Sequence, residues 1–221
     1  MVDIEKYISC LIVLLREQFG EKLLYVGLQG SYLRGEATDN SDIDIMVIID
    51  DLQVADLMLY RKIIQSMDSF DKSCGFICGK NDLANWNPLE ICHLLHTTKD
   101  CYGILKELIP AYSAQDIKNF IKISINNLYH EICHRYIHST NNTDMTALIN
   151  SYKGIFFILQ NLYYLQYGKF PSTKSELIVL LDGPHRTVLE RSIELHNGVS
   201  HDFQDCFILL FKWCQDTLQE L

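Results

Sequence analysis

The residues best suited to chemistry in this 221-residue chain stand in one stretch, Gly30 to Asp50 (GSYLRGEATDNSDIDIMVIID). It holds two carboxylates two positions apart, Asp42 and Asp44, at the entrance to an apolar, β-branched run from Ile45 to Ile49. Side chains alternate between faces in an extended chain, so Asp42 and Asp44 point one way while Ile43 and Ile45 point into a core. Carboxylates held side by side repel, and each resists ionising without a cation between them. A pair of oxygen-only ligands suits Mg2+, which keeps several waters and completes its shell with substrate phosphate. The other end of the stretch supplies the means to hold that phosphate. Gly30 lets the backbone turn sharply and approach a ligand closely. A short helical turn over Ser31 to Arg34 would direct free N–H groups at an anion. The Ser31 hydroxyl adds a donor, Arg34 adds charge or braces the loop, and Ser41 leads into the acidic pair.

Apolar runs flank this stretch. Leu23 to Leu28, the glycine-containing loop and Ile45 to Ile49 read as strand, tight connection, strand. Upstream, residues 3 to 19 place Ile4, Tyr7, Ile8, Leu11, Leu14, Leu15 and Phe19 on one helical stripe that stops at Gly20. Downstream of Asp50-Asp51 a helix carries Leu57, Met58, Ile63, Ile64 and Met67, and Ser73 to Cys78 form a third strand. Asn87 caps a further helix, with Pro88 in its first turn and Glu90 as capping-box partner. The order α-β-β-α-β-α gives a small mixed α/β domain over residues 1–110. Pro110 and the polar AYSAQD mark a boundary, with Ser113 as the next helix cap. Residues 111–221 read as helical throughout: 114–138, a loop at 139–144, one long helix from Met145 to Tyr167, then 173–182, 185–196 and 201–220. A four- or five-helix bundle packs such faces.

The pattern G-S-x-x-x-G (Gly30 to Gly35), followed by S-D-I-D (Ser41 to Asp44) and an apolar strand, resembles the signature of the polymerase-beta-type nucleotidyltransferases. The resemblance implies Mg2+-dependent transfer of a nucleoside monophosphate from an NTP such as ATP to a hydroxyl, with pyrophosphate released. It assigns Gly30 and Ser31 to the triphosphate and Asp42 and Asp44 to the metal. A looser similarity to the small-molecule, aminoglycoside-type enzymes takes in Gly79-Lys80 to Trp86, Thr98-Lys99 with Tyr102-Gly103, and Gly168-Lys169-Phe170 to Lys174. It supports Lys174 as a residue that reaches the triphosphate, beside Arg34 and Ser41. The family's third acid comes from the next core strand, which in this chain contains none. Asp71 at its entrance and Asp82 just after it are the candidates for that catalytic role, with Glu90 behind them. The active site is then expected in a cleft between the nucleotidyltransferase domain and the helical bundle, which receives a small hydroxyl-bearing acceptor, an aminoglycoside-like antibiotic being one class. Two alternatives stand beside this: a toxin–antitoxin-type protein nucleotidyltransferase, and a catalytically inactive nucleotide-binding module.

Composition narrows the partners. The chain is 48% hydrophobic with a formal net charge of −9, and its mean hydropathy is +0.02. A general nucleic-acid binder would be basic on one face. No apolar stretch is long enough to span a bilayer, and Asp3, Glu5 and Lys6 interrupt the amino terminus before any signal-like run. The eight cysteines are expected as free thiols of a cytoplasmic protein. His130, His134 and His138 recur every four residues, a spacing that can place ligands together or simply make a polar helix face. Arg191 to His196 (RSIELH) fits the loose R-x4-6-H pattern of HEPN-type ribonucleases, a spacing that also arises by chance.

Overall fold

The computed structural model describes residues 2–138 and 144–221 and divides into two compact units, Met1–Tyr112 and Ser113–Leu221. The first is built on a four-stranded mixed sheet whose strands lie in the order Ser73–Gly79, Ile43–Ile49, Leu23–Leu28, Lys99–Tyr102. β1 (Leu23–Leu28) and β2 (Ile43–Ile49) run antiparallel, with Leu28 opposite Ile45. β2 and β3 (Ser73–Gly79) run parallel in unbroken register from Ile43 opposite Ser73 to Ile49 opposite Gly79. Parallel neighbours need a crossover, which α3 (Val54–Ser66) provides.

Alternation along β2 separates two cores. Ile43, Ile45, Val47 and Ile49 meet Tyr7, Ile8, Leu11, Leu15 and Phe19 of α1 (Ile4–Phe19), with Ile63 of α3. Met46 and Ile48 face the other way, with Tyr25, Cys78, Leu83 of α4 (Lys80–Ala84) and Leu94 of α5 (Pro88–His96). Asp44, two residues before Met46, belongs to this second face by the same alternation.

An element absent from the sequence reading completes the sheet: β4 (Lys99–Tyr102) pairs antiparallel with β1 as an edge strand. Its four residues, KDCY, carry no apolar alternation, and it is held by backbone pairing rather than by buried side chains.

The second unit is helical: α6 (Ala114–His138), α7 (Met145–Tyr152), α8 (Ile155–Tyr167), α9 (Lys174–Leu180), α10 (Gly183–His196) and α11 (Phe203–Glu220). The long helix expected over Met145 to Tyr167 is broken at Lys153-Gly154. Gly183 and Pro184, left between the helices expected at 173–182 and 185–196, open α10, since proline fits the first helical turn. Of the loop expected at 139–144, all but Asp144, which caps α7, lies outside the described residues. No described helix is long and apolar enough to cross a membrane, and the eight cysteines are free.

Candidate active site

Gly30 holds the two halves of the motif together. The chain leaves β1 at Gln29, whose N–H donates to the Asp44 carbonyl at 2.9 Å and extends the ladder by one bond. Gly30 then turns with φ of +67° into a five-residue helix, α2 (Gly30–Arg34). A side chain at position 30 would project into the Asp44 carboxylate, 2.8 Å from its Cγ and closer still to one oxygen. The loop that carries Ser31 therefore lies directly on the second aspartate. Only a glycine permits both the positive φ and this approach. α2 ends at Gly35, also at positive φ, whose N–H donates to the carbonyls of Ser31 and Tyr32.

Arg34 braces the loop and keeps a charge beside it. Its Nε donates to Glu36 Oε2 at 2.8 Å, and its guanidinium lies near enough to Asp44 to favour the ionised carboxylate. Ser41 closes the turn before the acidic pair: its hydroxyl accepts from the Thr38 N–H at 2.9 Å, and its N–H donates to the Thr38 carbonyl at 3.1 Å. Asp42 is exposed just before β2, and Asp44 lies part-buried inside it. Burial raises the Asp44 pKa above the usual carboxylate range and Asp42 adds to the rise, while a hydrogen bond from Cys74 and the charge of Arg34 oppose it. A carboxyl so placed gains from a divalent cation, which favours its ionised form.

Sequence reasoning missed Cys74. It stands directly opposite Asp44 in the parallel β2–β3 pair, on the same face, and its thiol hydrogen-bonds the Asp44 carboxylate. Burial raises the thiol pKa, and the two aspartates push it further. The strand position nearest the acidic pair is thus filled by a neutral donor. Only the register could have revealed this, because β2 and β3 are joined through a helix and no local pattern fixes their alignment.

The other predicted residues fall in different places. Asp71 lies exposed in the turn Phe70–Lys72 that leads into β3, at the same end of the sheet as Asp42. Asp82 does not join them. From Cys74 to Gly79 the strand rises about 16 Å, and Asp82 sits beyond that far end, where it accepts from the Gly79 N–H at 3.1 Å to cap α4. Glu90 is exposed in the first turn of α5, after the cap at Asn87. Lys174 opens α9 in the second unit, behind the Thr173 cap. Lys169, in the same similarity segment, pairs with Glu176 at 2.9 Å. Arg191 turns inward to Cys206 Sγ at 3.3 Å, while His196, about 140° further round the helix, is exposed. These two do not converge as a nuclease pair would.

α5 also contributes. Gln29 Nε2 donates to Thr98 Oγ1 at 2.8 Å, and Thr98 donates to the Leu94 carbonyl at 2.7 Å, tying the strand before Gly30 to the end of α5. His93 of α5 is pushed down to about 4, first by burial and then by His96 and Arg34. It stands neutral beside the arginine of the loop.

Asp42 and Asp44 fit a divalent cation by donor chemistry: acceptor-only oxygens, one of them on a part-buried carboxyl whose pKa is raised first by burial and then by its acidic neighbour. No group of three His, Cys, Asp or Glu side chains gathers into a metal site among the described residues. Such a cation would take the rest of its shell from water and phosphate, as Mg2+ does.

Comparison with known proteins bears on the family resemblance and on the fold. Residues 13–74 match the family model of the nucleotidyltransferase domain, a span that contains Gly30, Ser31, Asp42, Asp44 and Cys74. No curated protein matches the chain. Among solved structures the fold is similar to that of spectinomycin adenyltransferase AAD(9) from Enterococcus faecialis with ATP and spectinomycin. The TM-score is 0.59 at 16% identity, covering 97% of this chain and 99% of that one.

Proposed function

We propose that this nucleotidyltransferase moves a nucleoside monophosphate from Mg-NTP to a hydroxyl of a small molecule, with aminoglycoside-like antibiotics as the acceptor class. The observation that carries the reading is the contact of Gly30 with the Asp44 carboxylate, which sets a phosphate-type loop against the acidic pair. The solved neighbour, bound to ATP and spectinomycin, supports the same pairing of nucleotide and small acceptor. In the division of labour we propose, residues 1–110 bind nucleotide and metal, while 111–221 recognise the acceptor and contribute Lys174 to the triphosphate.

Gly30 and Ser31 would hold the triphosphate by backbone and hydroxyl donors, with Arg34 fixed by Glu36 to present charge at the loop and Ser41 keeping the following turn closed. Asp42 and Asp44 would hold Mg2+, which when bound offsets the charge that builds on the leaving pyrophosphate. The acceptor oxygen forms its bond to the α-phosphorus as the bond to pyrophosphate breaks, and the hydroxyl proton must leave. Asp71, at the same end of the sheet as the pair, is the candidate to accept it.

Cys74 favours a second reading. With a thiol rather than a carboxylate beside Asp44, the chain could bind Mg-NTP without transferring. One experiment separates the two. Wild type and the variants Asp42→Asn and Asp44→Asn are incubated with labelled NTPs, Mg2+ and a panel including spectinomycin and aminoglycosides. Transfer by wild type and its loss in both variants is expected. Nucleotide binding without transfer across the panel would select the second reading, and full activity in either variant would refute the site.

A further inference from the structure

We propose that His134 and His138, on the solvent face of α6, form a bidentate site for a borderline divalent transition-metal ion, separate from the acidic pair of the first unit. The buried side of α6 is the stripe Ile117, Ile121, Ile125, Leu128 and Ile132. His130, His134 and His138 are exposed, one turn apart from each other. Their rings approach unequally: the centroids of His134 and His138 are 4.8 Å apart, those of His130 and His134 6.1 Å.

Coordination geometry distinguishes the two pairs. With a metal–nitrogen bond of about 2.0–2.1 Å, the ion lies about 3.2 Å from an imidazole centroid. Two cis ligands at angles between about 90° and 110° then place their centroids about 4.5 to 5.2 Å apart. His134 and His138 fall inside that window. His130 and His134 would need an angle of about 145°, outside both octahedral-cis and tetrahedral geometry.

Neutral imidazole is a good ligand for Ni2+, Cu2+ and Zn2+ and a poor one for Mg2+, so the class of ion follows from the donors. The adjacent cation, Arg135, is already paired with Glu131 at 3.1 Å. No third His, Cys, Asp or Glu among the described residues joins the pair at one point, so water fills the remaining positions.

The test titrates Ni2+ into the whole chain by calorimetry, with excess Mg2+ to saturate the carboxylate pair. The imidazole proton resonances are followed in parallel for paramagnetic broadening. Ni2+ is chosen over Cu2+ because it does not oxidise the free thiols. His134→Gln and His138→Gln are each expected to weaken binding about tenfold or more, because one imidazole loses the advantage of a linked second ligand. His130→Gln should change it less than about twofold. Resonances of His134 and His138 should broaden before those of His130, His196 and His201. Equal affinity in wild type and His134→Gln, or an equal loss in His130→Gln, would overturn the assignment.

Discussion

The packing of Gly30 on Asp44 can be tested against a built-in control. Gly30 and Gly35 bracket α2 with nearly the same backbone, φ of +67° and +69°, but a Cβ at Gly35 meets nothing within 4 Å. Alanine at either position accepts the left-handed conformation at a cost of about 1 kcal/mol, and at Gly35 that is the whole cost. At Gly30 the new methyl must also displace the Asp44 carboxylate. Asp44 is part-buried and bonded to Cys74, so moving it forces a poor rotamer, about 1 kcal/mol, and breaks a hydrogen bond worth about 1 kcal/mol. Gly30→Ala should therefore cost about 3 kcal/mol and Gly35→Ala about 1. At about 3 °C per kcal/mol for a chain of this size, the first should lower Tm by about 9 °C and the second by about 3 °C. Calorimetric titration with Mg-ATP should show affinity lost by about tenfold or more in Gly30→Ala, where the proposed metal ligand has moved, and retained in Gly35→Ala. Replacing Asp44 by alanine removes the obstacle, and in that background Gly30→Ala should cost about 1 kcal/mol. Equal losses in the two glycine variants, or the same Gly30→Ala cost with and without the Asp44 carboxylate, would refute the reasoning.

Two further outcomes follow from the same face of the sheet. Cys74→Asp places a third carboxylate opposite Asp44: without metal it should destabilise the chain by about 1 kcal/mol through like-charge repulsion. With Mg2+ it should show a larger rise in Tm than wild type and faster nucleotidyl transfer, and an unchanged Mg2+ response would show that position 74 does not reach the ion. His93, held at about 4 against an ordinary 6.5, binds a proton more readily in the unfolded chain. Stability should therefore be fully present above about pH 6.5 and decline as pH falls toward 4, by about 3 kcal/mol at most at 1.4 kcal/mol per unit. Urea unfolding at pH 7.5 and 4.5 reads the difference, which His93→Gln should reduce; an identical slope in that variant would show that this imidazole stays solvated.

Much of this architecture is legible locally. The strand–loop–strand unit announces itself because its apolar runs, its glycines and its carboxylates fall within thirty residues. Helix starts are also written in short-range chemistry. Asn87 accepts from the Leu89 N–H, Ser113 and Asp116 exchange bonds at the start of α6, and Thr173 accepts from the Glu176 N–H. What escaped depends on pairing at a distance. β4 is a polar four-residue edge whose alignment, Leu28 opposite Lys99, comes from a partner seventy residues away. Asp82 follows β3 closely in sequence, yet proximity in sequence does not say which end of a sheet a residue occupies. The break at Lys153-Gly154 comes with a single glycine inside an otherwise apolar and aromatic run, and a lone glycine is tolerated in many helices.

The central strand has a further consequence for motion. Five consecutive residues of β2, Ile45 to Ile49, are buried, with a neighbour on either side and a core on each face. Such a strand exchanges its amide hydrogens only when the unit opens as a whole. Ser31 and Arg34 ride instead on a five-residue helix with no fully buried residue, which packs on the core only through the half-buried Tyr32 and Leu33 and so opens at less cost than the strand. On the proposed function, one side of the nucleotide site would be as persistent as the domain itself and the other compliant. Capture and release of a triphosphate would then fall to α2, while Asp44 keeps the geometry of the strand that carries it.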